Sequence, residues 1–268
     1  MSTSVRINRW EGILEYGRYR ELFFFLVWRD IKIRYKQTFL GVLWAVIQPF
    51  FTMIIFTIFF GRVAGIDSEG LPYPIFSYSA LLPWTYFSVA VALSGNSLLA
   101  NSRLISKVYF PRAIIPTASA LSGIVDFAIA YIVLIGMMLY YDIHFSWGML
   151  WWPVLLIPLV ILIVSLGMML SALNVKYRDV KYAIPFFIQS LLFISPVIYP
   201  TTSLPHRFQK ILALNPLTGL INAFRASLLP ERSIDWHSLL ISVCVVAVLF
   251  VMAVLFFHRT EREFADVI

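Results

Sequence analysis

The segment Trp28-Arg29-Asp30-Ile31-Lys32-Ile33-Arg34-Tyr35-Lys36 sets four cations and one carboxylate among aromatic and aliphatic side chains, and a charge-free apolar stretch from Gln37 to Gly61 follows it. Cations held beside a membrane suit an anionic lipid headgroup or an acidic partner protein. Other chemistries find less support. Glu231 and Asp235 are four apart but lie in a loop beside Arg232, which reads as a solvated face rather than an acid–base pair. His144, His206, His237 and His258 are scattered without ligand spacing, so no metal site is expected. Asp126 is the sole carboxylate well inside an apolar block. A charge there is costly and points to function by default, although pairing with a neighbouring Ser or Tyr would make it structural. Arg178-Asp179 reads as a local ion pair that caps a helix or transmits motion. The chain contains no Gly-x-x-x-x-Gly-Lys-[Ser/Thr] phosphate loop, so it cannot bind ATP by that mechanism, and no cofactor is expected on it.

The elements that hold these residues are membrane helices. Hydrophobic residues make up 60% of the chain and charged residues 13%, about half the charged share of a soluble domain. The apolar residues fall in blocks long enough to cross a bilayer, at about 20 residues per helix. Six are read: 39–60, 71–100, 113–141, 149–173, 182–199 and 238–257. The net charge of +7 does not imply nucleic acid, because the cations concentrate in particular connections. Sixteen of the 21 Lys and Arg residues fall in the N-terminal segment, the 101–112 and 174–181 loops and the C-terminal tail; five fall in the alternate connections. That asymmetry predicts both termini in the cytoplasm, in agreement with an even number of spans. Cys244 is the single cysteine, so no intrachain disulfide can form. The early run Leu22–Trp28 is too short, and too closely followed by charge, to read as a cleavable signal.

Residues 18–37 are predicted to form an amphipathic helix. Phe24, Trp28, Ile31 and Tyr35 share one face, Arg29, Lys32 and Lys36 a second, and Asp30 and Arg34 a third. Such a helix lies in the headgroup plane, either as a simple positive-inside anchor or with its cations on a headgroup or partner. The 101–112 loop, Asn101-Ser102-Arg103-Leu104-Ile105-Ser106-Lys107-Val108-Tyr109-Phe110-Pro111-Arg112, is short and basic, with enough apolar residues to pack against something. Residues 200–237 are partly apolar but broken at Asn215-Pro216. They read as a pair of short re-entrant helices on the outer face, with an amphipathic surface hairpin as the alternative.

Four groups of segments, in order along the chain, carry a resemblance. They are Trp28-Arg29-Asp30-Ile31-Lys32 through Arg34-Tyr35 with Leu40-Gly41 and Pro49; Leu104-Ile105-Ser106-Lys107 with Phe110-Pro111-Arg112; Tyr177-Arg178-Asp179-Val180 with Ser195-Pro196-Val197-Ile198-Tyr199-Pro200; and Leu214-Asn215-Pro216-Leu217 with Phe224-Arg225. The chain resembles the membrane permease of type-2 ABC exporters, in the branch that moves O-antigen, capsule or teichoic-acid polymers. The resemblance implies an all-α integral membrane protein of six transmembrane helices, with an N-terminal interface helix and re-entrant helices before the last span. It implies a homodimer bound to two ATP-binding subunits, which carry the ATP and Mg. By the same resemblance residues 101–112 form the coupling helix, with Ser102, Arg103, Leu104, Ile105, Ser106, Lys107, Tyr109 and Phe110 receiving the ATPase. Residues 200–230 would close the outer exit, with Asn215, Pro216, Phe224 and Arg225 at the gate.

In that family the first and fifth spans flank the channel. Here Trp44, Gln48, Thr52 and Phe56 recur every four residues on the first, and Tyr182, Phe186, Gln189, Phe193 and Pro196 alternate along the fifth. Aromatic faces stack on the C–H faces of sugar rings, so these stripes are candidate polymer contacts; packing and lipid contact are the alternative. The leading expectation is a permease for a polyprenyl-diphosphate-linked polysaccharide, O-antigen foremost, with Arg29, Asp30, Lys32 and Arg34 at the headgroup. An ion-coupled secondary transporter would need more buried ionisable groups than Asp126. A membrane glycosyltransferase would need a catalytic constellation that Arg207, Lys210, Arg225 and Glu231 do not make.

Overall fold

Inside a bilayer the backbone can satisfy its polar groups only within a helix or a closed barrel, so long apolar runs fold as helices. The computed structural model describes residues 19–36, 41–228 and 233–261, and among these every regular element is helical. Helix α1 spans Arg20–Lys36. Helix α2 (Leu43–Phe56) continues as a π-helical segment, Thr57–Val63. Helix α3 (Tyr73–Ala100) is followed by the single turn α4 (Ser102–Ile105). Then come α5 (Ile114–Ser122), α6 (Ile124–Tyr140), α7 (Trp152–Lys176) and α8 (Val180–Ile194). Two short helices, α9 (His206–Leu212) and α10 (Pro216–Ala226), precede the last, α11 (Trp236–Glu261). Predicted positions 18, 37, 39, 40, 229, 230 and Glu231 lie outside the described residues.

Among the described residues five helical stretches are long and apolar enough to cross a membrane, which makes this a multi-pass membrane protein: Leu43–Val63, Tyr73–Ala100, Ile114–Tyr140, Trp147–Lys176 and Trp236–Glu261. The stretch expected to be the fifth span departs from this pattern. Its helix ends at Ile194 rather than Tyr199 and has 15 residues, roughly 22 Å at 1.5 Å per residue. That is short of the about 30 Å hydrocarbon layer. Ser195 then turns extended, and the chain runs through Pro196 and Pro200 without helix. The third span is also not one uninterrupted rod. It breaks at Gly123 between α5 and α6. A Cβ at that position would lie 2.9 Å from the Tyr86 ring, so glycine admits the close crossing of α3.

Helix α3 is the hub of the subunit, packed against α2, α5, α6, α7, α8 and α10. Small and hydroxylic residues let neighbours approach it closely. Ser94 donates to the Pro116 carbonyl at 2.7 Å, and Asn174 of α7 donates to the Gly95 carbonyl at 3.1 Å. Tyr78 and Tyr86 donate to the carbonyls of Ala130 and Ala120. By contrast α2, α8 and α11 leave much of their apolar surface uncovered.

The connections sort to two ends. At the basic end Tyr19 reaches the Tyr109 carbonyl, and Arg112 meets Glu261 through both its amide and its guanidinium. At the other end Thr202 donates to Glu69 at 2.7 Å, Tyr73 to the Ile198 carbonyl at 2.9 Å, and the Trp152 indole to Ser227 at 2.7 Å.

Candidate functional site

Helix α1 is held by a polar seam more than by its aromatic face. Leu22, Phe23, Leu26 and Val27 bury the first half of the helix against the core. In the second half Asp30 accepts a hydrogen bond from Ser119 of α5 at 2.9 Å and pairs with Arg29 at 2.8 Å. Arg34 pairs with Asp126 of α6 and approaches Ser122 at 3.4 Å, while the Tyr35 hydroxyl donates to the same Asp126 carboxylate. Desolvation of Tyr35, together with its hydrogen bond to Asp126 and that residue's charge, raises its pKa far above the ordinary phenol value. The predicted aromatic face therefore divides. Phe24 and Trp28 are 68% and 58% exposed, whereas Tyr35 turns inward. Lys32 lies 5.5 Å over the Trp28 ring.

Asp126 thus finds its partners not on its own span but on α1. The sequence does carry a signal for this. Ser119, Ser122 and Asp126 stand at i, i+3 and i+7, which places three polar groups on one face of the third span. Asp179 and Arg178 do not form the expected pair. Asp179 stands at the N-cap of α8, where its carbonyl accepts from the amides of Tyr182 and Ala183.

Arg34, Tyr35 and Asp126 also form one wall of a cavity of about 200 Å³ at the start of α2. Trp44 and Gln48 of α2 and Thr85 of α3 line it as well. Of the predicted first-span stripe, Trp44 is 54% exposed and Gln48 is exposed beside it. Thr52 bends its hydroxyl back to the Gln48 carbonyl at 2.9 Å, and Phe56 is buried in the core. On α8, Phe186 and Phe193 are 74% and 58% exposed and Gln189 is exposed between them; only Ile184 of this helix is buried.

The 101–112 loop is rooted by Ile105 and Phe110, both buried, with Ser102 and Leu104 half-buried. Arg103, Ser106, Lys107 and Tyr109 project outward, making a cationic and aromatic knob on a fixed base.

The four residues expected at the outer gate all secure α10. Asn215 caps it, accepting from the Leu217 amide at 3.1 Å and donating to Ser195 at 2.9 Å, and Pro216 occupies the first turn. Phe224 lies among aromatic rings, 4.9 Å from Trp152 and 6.1 Å from Phe127. Arg225 is buried, stacked 3.7 Å over the Phe76 ring, and donates to the Pro196 and Val197 carbonyls at 3.0 and 3.3 Å. Gly219 lets α10 meet α11, since a Cβ there would sit 2.5 Å from the Ser238 carbonyl oxygen. Among the described residues no three His, Cys, Asp or Glu side chains gather as metal ligands.

Comparison with known proteins decides the family. The model of the ABC-2 type transporter family matches residues 21–229, well over half of the chain. The chain belongs to that family. Members of the ABC-2 family are membrane permeases that pair with ATP-binding subunits. The chain is 28% identical over 257 residues to the O-antigen export system permease protein RfbA of Myxococcus xanthus, covering 95% of this chain and 98% of the relative. It is 26% identical over 241 residues to the RfbA of Klebsiella pneumoniae, covering 90% and 92%. It is 26% identical over 243 residues to the polysialic acid transport protein KpsM of Escherichia coli, covering 88% and 91%. The ABC-2 match runs from α1 to the end of α10, so it takes in the polar seam, the cavity, the knob and the α9–α10 pair.

Proposed function

We propose that this ABC-2 permease exports a polysaccharide carried on a polyprenyl diphosphate, O-antigen foremost, across the inner membrane. It works as a homodimer with two ATP-binding subunits that supply ATP and Mg, and both termini lie in the cytoplasm. The short α8 serves as the sixth crossing, completed by the non-helical stretch that follows it and by a second copy of the chain. The observation that carries this reading is the pair of uncovered faces on α2 and α8. Trp44, Gln48, Phe186, Gln189 and Phe193 lie open in a single subunit, where aromatic faces and amides could contact sugar. The full-length likeness to O-antigen export permeases points to the same cargo.

The knob Arg103, Ser106, Lys107 and Tyr109 receives the ATPase. Its rooted base transmits the stroke into α5, whose Ser119 holds α1 through Asp30. Arg29, Lys32 and Arg34 attract the diphosphate headgroup, and α9 and α10 close the outer exit. The likeness to KpsM favours one second reading, export of a capsular polymer by the same machinery.

The test is polymer export by folded, assembled dimers. Trp44→Ala and Phe193→Ala are each expected to cut the export rate several-fold while leaving assembly intact. Wild-type rates in both would contradict a sugar-contacting role for these faces.

A further inference from the structure

We infer that Asp126 is the resident counter-ion of the headgroup site: it holds Arg34 and Tyr35 when the cavity is empty, and only an anion of higher charge than an ordinary phospholipid displaces it. This inference rests on the proposed export of a diphosphate-linked lipid, and it assigns the headgroup to the cavity at the start of α2.

The cavity volume of about 200 Å³ lies below the roughly 300 Å³ of pockets for drug-sized ligands, so it suits a headgroup rather than a run of sugars. Its one cation, Arg34, has a side chain 20% exposed and is already committed to a carboxylate that is itself 25% exposed. A part-buried charge pair is costly to break from either side, because the partner left behind stays partly desolvated. The incoming anion must therefore replace the carboxylate in kind. A phospholipid phosphodiester brings one charge, no more than Asp126 already supplies. A diphosphate brings more charge and more acceptor oxygens for the planar guanidinium, for the Tyr35 hydroxyl and for the Gln48 amide, which lines the same cavity.

The consequence extends beyond affinity. A diphosphate seated on Arg34 leaves Asp126 facing a like charge, and the polar seam between α1 and α6 loosens. Asp30–Ser119, on α5, keeps its own hold on α1. Loading the site thus releases one end of α1 while the other stays fixed. The same competition limits affinity for the headgroup, which an exporter has to let go.

The experiment uses the permease assembled with its ATP-binding subunit in phosphatidylethanolamine nanodiscs. Four conditions are compared: no addition, phosphatidylglycerol, undecaprenyl diphosphate, and soluble inorganic diphosphate. Stimulated ATP hydrolysis is read as a half-saturating concentration and a maximum. In the wild type only undecaprenyl diphosphate is expected to stimulate. Asp126→Asn, which keeps the shape and removes the charge, lowers its half-saturating concentration about threefold or more and lets phosphatidylglycerol stimulate as well. Arg34→Gln raises it about tenfold or more, Arg34→Lys recovers part of that loss, and the gain from Asp126→Asn vanishes in the Arg34→Gln background. Asp126→Ser takes the place of the Asn variant if the latter does not assemble.

If removing the carboxylate weakens the response to undecaprenyl diphosphate, or leaves both lipids unchanged, Asp126 merely positions α1 and the inference is wrong. Stimulation by inorganic diphosphate would equally overturn a lipid-anchored ligand. A wild-type complex indifferent to undecaprenyl diphosphate would instead sink the export reading on which the inference depends.

Discussion

Among the described residues Arg225 is the largest side chain fully withdrawn from the surface, and it stands where the non-helical segment after α8 meets α10. Its guanidinium stacks on Phe76 and donates to two carbonyls in a segment that no helix can satisfy. Lysine keeps the charge but loses the flat stacking surface and the forked donors. Arg225→Lys is therefore expected to destabilise the permease by about 1–3 kcal/mol, read as a lowered Tm in detergent. Phe76→Leu costs less, and the double variant loses less than the two single losses combined; strict additivity would show that the stacked pair is not the source. The local part of this arrangement is legible in the sequence, since Asn215-Pro216 announces a capped helix start. The burial of Arg225 is not, because its partners at 76, 196 and 197 lie far away along the chain. Asp126 teaches the same lesson, as the residues that pair with it belong to α1.

Helices are delimited by cap chemistry, and α11 is a clear case. The Asp235 carboxylate accepts the amides of His237 at 3.1 Å and Ser238 at 3.2 Å, filling donors that the first turn leaves open. Partial burial pushes its pKa up, but the hydrogen bonds from Ser238 and His237, with the charge of His237, outweigh this and hold it below the usual carboxylate value. A carboxylate depressed in the folded state stabilises above its unfolded pKa, and that stabilisation is lost as the pH falls through the folded value. Asp235→Ala is expected to cost about 1 kcal/mol near neutral pH. The Tm gap between wild type and variant should shrink between about pH 5 and about pH 3; a gap independent of pH would rule the charged cap out. At this scale the apolar blocks were readable, because length and the absence of charge suffice to mark them. The break at Gly123 was not, since it answers to the Tyr86 ring on α3. The early end of α8 was hidden too, because Pro196 to Pro200 is as apolar as a span while its backbone turns and bends instead of continuing the helix.

For the molecule as a whole, the distribution of Lys and Arg predicts two unlike ends, and the contacts agree with that division. Tyr19–Tyr109 and Arg112–Glu261 gather the basic segments, while Thr202–Glu69 and Trp152–Ser227 join the alternate connections. The subunit is built around α3, with α2 and α8 left uncovered on faces that mix aromatics and amides. What the sequence only hints at, through Ser119, Ser122 and Asp126 on one face, is how tightly α1 is tied to the third span. That link joins the knob at 103–109 to the cavity beside Trp44 through α5. In the proposed mechanism the permease conveys its polymer only when an ATP-binding partner drives the knob. Reconstituting the purified chain in vesicles, with and without that subunit, and measuring lipid-linked polysaccharide delivered across the bilayer tests it most directly. Transport that requires both proteins and hydrolysable ATP is the expected result; delivery at the same rate by the permease alone, without nucleotide, would show that no ATP-binding partner drives it.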